Sequence, residues 1–337
     1  MNRSRTLASV LALALAGGAC AAPENAEPVY IEDFTARSSL LSCEPVPPLT
    51  GEAWVPEDLV PVDDGRTLLL SGQIAEVVLL GRDLAPIWRL ELDEEGPGGV
   101  GSPISVELAD DSTVLVADRG RQLVKRLGIG GEDRGTIRTP FFPHLVRRAG
   151  ADTVVVPAVL AGYPDRLLYL VRDGQVEAQA LRLRAYPGMT HGAFANRLAA
   201  VRRPDGHLIL MHAFYVPEAY RWDRGEVARY RVPVPDAMRP FFSRPRPVER
   251  EEDMAHLPVV GISPYLDPVT GDVLYVTRTG DAGPAGTSQK ALIRTDSILR
   301  YLRSGILPVD VLFAAPLGSD SALVVSNQGV WHRCEAP

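Results

Sequence analysis

Four histidines, His144, His191, His212 and His256, carry the chemistry most open to this chain. Imidazole changes charge near neutral pH and is the commonest transition-metal ligand. Converging histidines would therefore make a metal site or an acid–base pair. No HExxH stretch or other close ligand spacing joins them, so only the tertiary fold could bring them together. A metal ion is the one cofactor left open, and no other is expected. Gly96-Pro97-Gly98-Gly99-Val100-Gly101 matches G-x-G-x-x-G, but a dinucleotide site needs a helix to start there. Pro103 and an extended run follow instead, which makes the segment a loop. Segment 278–290 is rich in Gly, Thr and Ser and could cradle an anion with backbone N–H groups; an elongated surface loop is the plainer reading. A seryl hydrolase is disfavoured, because there is no G-x-S-x-G and no strand-turn-helix to carry one.

The elements that must position such residues are strands, since helical periodicity is almost absent. A polar turn followed by a continuous apolar run recurs six times. Leu68-Leu69-Leu70 follows Asp63-Asp64-Gly65, and Val114-Leu115-Val116 follows Asp110-Asp111-Ser112. Val154-Val155-Val156 follows Gly150-Ala151-Asp152, and Leu208-Ile209-Leu210 follows Pro204-Asp205-Gly206. Val273-Leu274-Tyr275-Val276 follows Thr270-Gly271-Asp272, and Leu323-Val324-Val325 follows Ser319-Asp320-Ser321. The turn residues suit tight hairpins. The unbroken apolar runs suit strands buried on both faces. A mean spacing of about 51 residues leaves room for four strands per unit, the mark of a β-propeller. Later strands are legible in the first four units and less clear in the last two. Segment 298–304 reads as a short amphipathic helix.

The sixth unit is short of strands after the one that carries Cys334. A closed propeller completes its last blade with a strand from the other terminus, which removes open edges. Segments 28–34 and 39–43 are the two candidates. In an oxidising compartment Cys43 and Cys334 read as a disulfide, two separate buried thiols being the alternative. The expected fold is all-β: a six-bladed β-propeller closed by an N-terminal strand and a Cys43–Cys334 disulfide.

One stretch resembles a known repeat. A Gly96-Pro97-Gly98-Gly99 loop leads through an apolar strand to the turn Asp110-Asp111-Ser112. Val116-Ala117-Asp118 and the polar loop Arg119-Gly120-Arg121 follow. Over 95–127 this is similar to the NHL repeat and related bacterial six-bladed propellers. The match is weaker at 59–80 and at 259–277, where Asp267-Pro268-Val269-Thr270-Gly271-Asp272 has the form of a blade turn. The resemblance implies a fold and names no activity: such propellers bind proteins, RNA, sugars or metals, and some are enzymes.

On such a fold, the connections into each innermost strand and those after each second strand share one face. His144, His191, His212 and His256 fall in or beside these segments, and Asp118-Arg119 points to the same face. Arg278 completes the candidate ligand-binding set. His207 belongs to an opposite-face turn and His332 to the last strand. No catalytic residue is assigned.

At the start of the chain, Arg3 and Arg5 precede an apolar run over 7–16 and the small residues of 17–22, the plan of an export signal. The run is shorter than the roughly 20 residues that span a bilayer. Cleavage at Ala19-Cys20-Ala21 would make 1–21 the signal. Alternatively Gly17-Gly18-Ala19-Cys20 resembles a lipoprotein box, with signal 1–19 and Cys20 as the lipidation candidate. Residues 22–48 then supply the closing strand and 49–334 the propeller. An insertion, 233–258, carries Phe241-Phe242, three Arg-Pro pairs and an acidic run, and reads as a lid, binding loop or mobile strap. Its segment 239–253 is expected to be dispensable for folding. A net charge of −7 argues against a nucleic-acid partner, and the plentiful Arg beside only Lys125 and Lys290 reads as codon bias rather than phosphate recognition. The expectation is an exported, non-enzymatic binding or scaffold protein of the cell envelope. It would engage an unknown protein or polymer at its loop face, and touch the membrane only through a lipid anchor. The alternative is a propeller enzyme, a metal-dependent hydrolase, lactonase or lyase, working in the central funnel.

Overall fold

Each of the six apolar runs becomes the second strand of a four-stranded antiparallel sheet in the computed structural model. The structure describes residues 28–47, 56–62, 65–92, 99–149, 152–158, 166–172, 175–183, 193–223, 226–243, 258–282, 288–318 and 320–337. Three short strands come first: β1 (Tyr30–Ile31), β2 (Ser39–Leu40) and β3 (Cys43–Pro45). Blade 1 holds β4 (Asp58–Pro61), β5 (Thr67–Ser71), β6 (Glu76–Leu80) and β7 (Pro86–Glu91). Blade 2 holds β8 (Pro103–Asp110), β9 (Thr113–Asp118), β10 (Leu123–Gly128) and β11 (Asp133–Arg138). Blade 3 holds β12 (Pro143–Ala149), β13 (Asp152–Pro157), β14 (Arg166–Arg172) and β15 (Gln175–Arg182). Blade 4 holds β16 (Leu198–Arg202), β17 (Leu208–His212), β18 (Glu218–Asp223) and β19 (Glu226–Arg231), after which comes β20 (Val234–Pro235). Blade 5 holds β21 (Ile262–Leu266), β22 (Val273–Ala282), β23 (Ser288–Thr295) and β24 (Tyr301–Leu307). Blade 6 holds β25 (Val311–Pro316), β26 (Ser321–Ser326) and β27 (Trp331–Glu335), and β3 supplies its fourth strand.

The first strand of every blade touches the first strands of both neighbours, from β4 against β8 round to β25 against β4. A ring of six inner strands therefore surrounds a channel. Burial explains why the second strands are apolar throughout. Side chains alternate between the two faces of a strand. Leu68 and Leu70 face blade 2 beside Val106, Val114 and Val116, while Leu69 faces blade 6 beside Leu323 and Val325. In the next blade Val114 and Val116 look back to blade 1, and Leu115 and Ala117 look on to Val146 and Val155 of blade 3. One apolar cluster fills each junction between blades, so the core is a ring of six wedges. Glycines at φ 85° and 72° turn the first strand into the second at Gly206 and Gly271, a conformation a side chain resists.

Both N-terminal candidates join the fold, in different ways. Tyr30–Ile31 pairs in parallel with β20, outside the blades. Ser39–Leu40 adds a fifth, parallel strand to blade 5 against β24. Closure itself comes two residues later, where β3 pairs antiparallel with β27. Cys43 lies directly opposite Cys334, and a disulfide joins them across a Cα–Cα distance of 4.0 Å.

Two expectations about blade 5 need correction. Segment 298–304 is not helical: its second half opens β24, whose exposed residues Leu302 and Arg303 mimic the polar stripe of a helix because β24 lies at the outer rim. Segment 278–290 is no simple loop, because β22 and β23 run on together, with Arg278 opposite Lys290 and Ala282 opposite Ser288. The insertion is also anchored where it begins. After β20 a helical turn buries Met238, Arg239 pairs with Glu32 at 2.8 Å and stacks on Tyr30, and Phe242 packs on the core of blades 4 and 5. A deletion that starts at Arg239 would cut into these contacts, so one that spares the fold must begin after Ser243. Residues 244–257 of the insertion, and the signal-like segment with Cys20, lie outside the described residues.

Candidate functional site

The inner strands do more than form a ring. Four of them carry an irregularity at the same level, near their first residue. Pairing with the second strand slips between Pro103 and Ser105, between Pro143 and Leu145, between Ile262 and Tyr265, and between Val311 and Phe313. The residues left out of register are Ile104, His144, Ser263 with Pro264, and Leu312. All of them line one cavity of about 200 Å³ at that end of the channel. A bulge re-aims a side chain that regular pairing would send elsewhere. Blades 1 and 4 keep regular pairing and contribute instead the residues just before their inner strands, Glu57 and Arg197. These are held by backbone bonds that prolong the ladder: Glu57 N to Leu70 O at 2.7 Å, and Ala213 N to Arg197 O at 2.9 Å. Phe214 and Phe313 complete the apolar part of the wall.

His144 and Arg197 stand on adjacent blades, with Glu57 on the blade opposite Arg197. Among the described residues none of these three side chains makes a hydrogen bond or ion pair. Burial, with the nearby Arg197 charge, pushes the His144 imidazole down to about 3, so it stays neutral at physiological pH. Burial also lowers the Arg197 guanidinium, with the opposing attraction of Glu57 only partly offsetting it. Arg197 and Glu57 both keep accessible surface and both line the chamber. Glu57 reaches its place because Gly72 has no side chain; a Cβ there would sit 2.7 Å from Glu57 Cγ.

The floor of the chamber is ionic. Arg147 Nη1 and Nη2 donate to Asp58 Oδ2 and Oδ1 at 2.9 and 3.0 Å, a two-pronged pairing between blades 3 and 1. Ser105 of blade 2 donates its hydroxyl to Asp58 Oδ2 at 2.6 Å. Burial pushes the Asp58 carboxyl up, but the charge and hydrogen bonds of Arg147, with those of Ser105 and Val106, outweigh it and hold the group below the ordinary carboxylate value. Deeper still, Glu107 lies 3.9 Å from both Arg147 Nε and Arg202 Nε. Burial raises Glu107 to about 7 against the pull of those arginines. Beyond it the channel opens on the other face into a cleft of about 270 Å³ bordered by Arg202, Pro61, Pro204, Pro268 and Pro316.

Glu107 makes stability depend on pH in a definite direction. The folded state holds this proton up to about pH 7, whereas an unfolded glutamate releases it near its ordinary 4.5. The contribution is thus complete below about 4.5 and is lost as pH rises through about 7. Neutral His144 works in the opposite sense, its contribution being lost as pH falls from 6.5 towards 3. The two offset one another where they overlap, so the contrast needs a substitution. Glu107→Gln should gain stability relative to the wild type between pH 5 and pH 8, by on the order of 1–3 kcal/mol. Parallel melting temperatures of the two proteins across that range would contradict the assignment.

The other candidates from sequence are placed as follows. His212 is fully buried behind the chamber wall, with Nδ1 2.9 Å from Ala195 O and Nε2 3.1 Å from Tyr220 OH, whose hydroxyl donates to Glu218. Asp118 is buried in its own turn, accepting from the N–H groups of Gly101, Ser102 and Arg121 at 2.7–3.1 Å. Arg119 is exposed on that turn, and its charge reaches both His144 and Arg197. Arg278 is buried, with its guanidinium 5.2 Å above the Phe241 ring. His191 and His256 lie outside the described residues. Among the described residues no three His, Cys, Asp or Glu side chains are grouped so as to hold a metal ion. Sequence reasoning missed Glu57, Asp58, Glu107, Arg147 and Arg197. Their only local signal is position, at or near the strand that precedes each doubly buried run.

No family model matches this chain, and no curated protein matches it. Among solved structures it is similar to a candidate exported protein of Bacteroides fragilis NCTC 9343, at 10% identity and a TM-score of 0.59, covering 91% of this chain and 97% of that one. It is similar to a member of the DUF4221 family from Bacteroides vulgatus, at 11% identity and a TM-score of 0.57, covering 88% and 98%. A PQQ-bound aldose sugar dehydrogenase from Streptomyces coelicolor matches at 10% identity and a TM-score of 0.51, covering 89% and 99%. At such identities the likeness is one of fold, and what this chain shares with all three is the β-propeller.

Proposed function

We propose that this protein is an exported, non-enzymatic binding propeller whose recognition surface is the face on which the bulged inner strands open the chamber. The observation that carries this reading is the pairing of a water-accessible cavity with three polar side chains, Glu57, His144 and Arg197, that make no hydrogen bond or ion pair among the described residues. Glu57 and Arg197 keep accessible surface where they line the chamber, so a ligand that displaces water there can supply both contacts. Most of the remaining lining is apolar, the usual make-up of a binding pocket rather than of a metal centre. Work outside the cytoplasm fits the Cys43–Cys334 disulfide, which persists only under oxidising conditions. It also fits the signal-like N-terminus, with Cys20 as the point of lipid attachment on the lipoprotein route. The NHL-like repeat fits a scaffold of this kind. A partner protein or polymer would present its tip to the chamber.

Thermal unfolding of the purified protein against a panel of small acids, amines, sugars and peptides tests the reading. A ligand at 100 times its Kd stabilises by about 2.7 kcal/mol, a readily measured shift. At least one compound should stabilise the wild type, with or without chelator, and fail to stabilise Arg197→Met. Stabilisation that needs a metal, or turnover of a panel compound, would overturn the proposal in favour of an enzyme.

A further inference from the structure

Resting on that reading, we infer that the chamber takes a small zwitterion lying across the channel, its carboxylate held by Arg197 and His144 and its ammonium by Glu57. Three features carry the inference. The first is charge. Of the four charged side chains that line the chamber, Asp58 and Arg147 satisfy each other in the floor. One cation and one anion remain, Arg197 and Glu57, and among the described residues they form no ion pair with each other. A ligand bearing only a negative charge would meet Arg197 but also Glu57; an amine alone would meet the reverse conflict. A ligand with both charges leaves neither conflict.

The second feature is placement. Glu57 precedes the inner strand of blade 1 and Arg197 that of blade 4, which are opposite one another in a ring of six. The two charges therefore face across the channel rather than along one wall. The ligand that matches them carries its charges at its two ends. His144, neutral and on the blade beside Arg197, adds a hydrogen-bonding nitrogen at the carboxylate end without adding a second positive charge. The third feature is the wall between. Ile104, Phe214, Leu312 and Phe313 offer apolar surface to the middle of the ligand. About 200 Å³ suits a short ω-amino acid or a small dipeptide and excludes a folded segment of another protein.

A matched titration tests this on the full processed chain. ω-Amino acids from 4-aminobutyrate to 8-aminooctanoate are compared with the n-alkanoates and n-alkylamines of equal length by calorimetry. One chain length should bind best, and its matched alkanoate and alkylamine should each bind at least about tenfold more weakly, as expected for loss of one charge-assisted contact. In Arg197→Met the zwitterion should lose binding. In Glu57→Gln its advantage over the alkanoate should vanish while alkanoate binding persists. Gly72→Ala, which displaces the Glu57 carboxylate without removing it, should reduce the same advantage. If the alkanoate binds the wild type as tightly as the zwitterion, the inference is wrong. If no compound of the series binds, yet another panel compound stabilises the protein through Arg197, the zwitterion is rejected and the binding reading stands. If nothing at all depends on Arg197, both fall.

Discussion

Cys43→Ala combined with Cys334→Ala should lower the melting temperature by at least about 5 °C and open the ring at the junction of β3 and β27. The reason lies in how little else holds β3. It is three residues long, its Glu44 and Pro45 are exposed, and its register with β27 spans Cys43, Glu44 and Pro45, with one further backbone bond at each end, Glu335 N to Ser42 O and Val46 N to Trp331 O, both at 2.9 Å. The bond closes a span of 291 residues. The chain-entropy account puts the stabilisation from so long a loop at about 5–6 kcal/mol, an upper bound, and native disulfides typically contribute about 2–5 kcal/mol. In a domain of this size each kcal/mol moves the midpoint by roughly 2–4 °C. Loss of β3 would also leave β27 as an unpaired edge, a template for association with other chains. Urea unfolding of the oxidised wild type and the double variant, together with hydrogen exchange at Arg333 and Glu335, measures both effects. An unchanged midpoint with protected β27 amides would mean that packing around Trp331 alone keeps the ring shut.

Asp58→Ala should be as damaging, at about 3–5 kcal/mol, because it strips a buried arginine of its main partner. Arg147 also donates through Nη1 to Ser105 Oγ at 3.0 Å and to the carbonyls of Val106 and Val146 at 3.1 and 2.8 Å. Those contacts satisfy hydrogens but do not neutralise charge. Glu107, 3.9 Å from Nε, would be the nearest carboxyl left, and it holds its own proton up to about pH 7. The midpoint should fall by roughly 10 °C. Asp58→Ala with Arg147→Met removes both charges and should recover much of the loss, since an apolar replacement of a buried pair is often close to neutral. A double-mutant cycle in urea isolates the coupling. A single substitution costing less than about 1 kcal/mol would show that water or Glu107 already carries the charge. The same pair ties together blades 1, 2 and 3 through Ser105, so both variants should also loosen exchange of the inner-strand amides.

The amino-acid order alone determined the ring. Six unbroken apolar runs, each entered by a turn rich in Gly, Asp or Ser, read as strands covered on both sides. Their spacing of about 51 residues leaves room for four strands per unit, which is the length of a propeller blade. The cysteine positions likewise announced how head and tail meet, because the thiols fall in the first and last strands of one sheet. The outer strands were harder. The start of β24 reads as a helix in the sequence because a rim strand has one wet face and loses the continuous apolar signature.

What only the tertiary structure decided is which side chains look into the channel. Inner strands are short, and a one-residue slip of pairing sends a side chain to the other face. The bulges at Ile104, His144 and Leu312 make that choice, and nothing local to those residues encodes it. His144 is turned into the chamber, whereas His212, equally prominent in the sequence, is closed behind the wall and bonded to Ala195 and Tyr220. The charged floor was invisible for a related reason: Asp58 and Arg147 meet across 89 residues, and a periodic reading detects only neighbours along the chain. A propeller announces itself through repetition, while its binding chamber is assembled from the places where that repetition breaks.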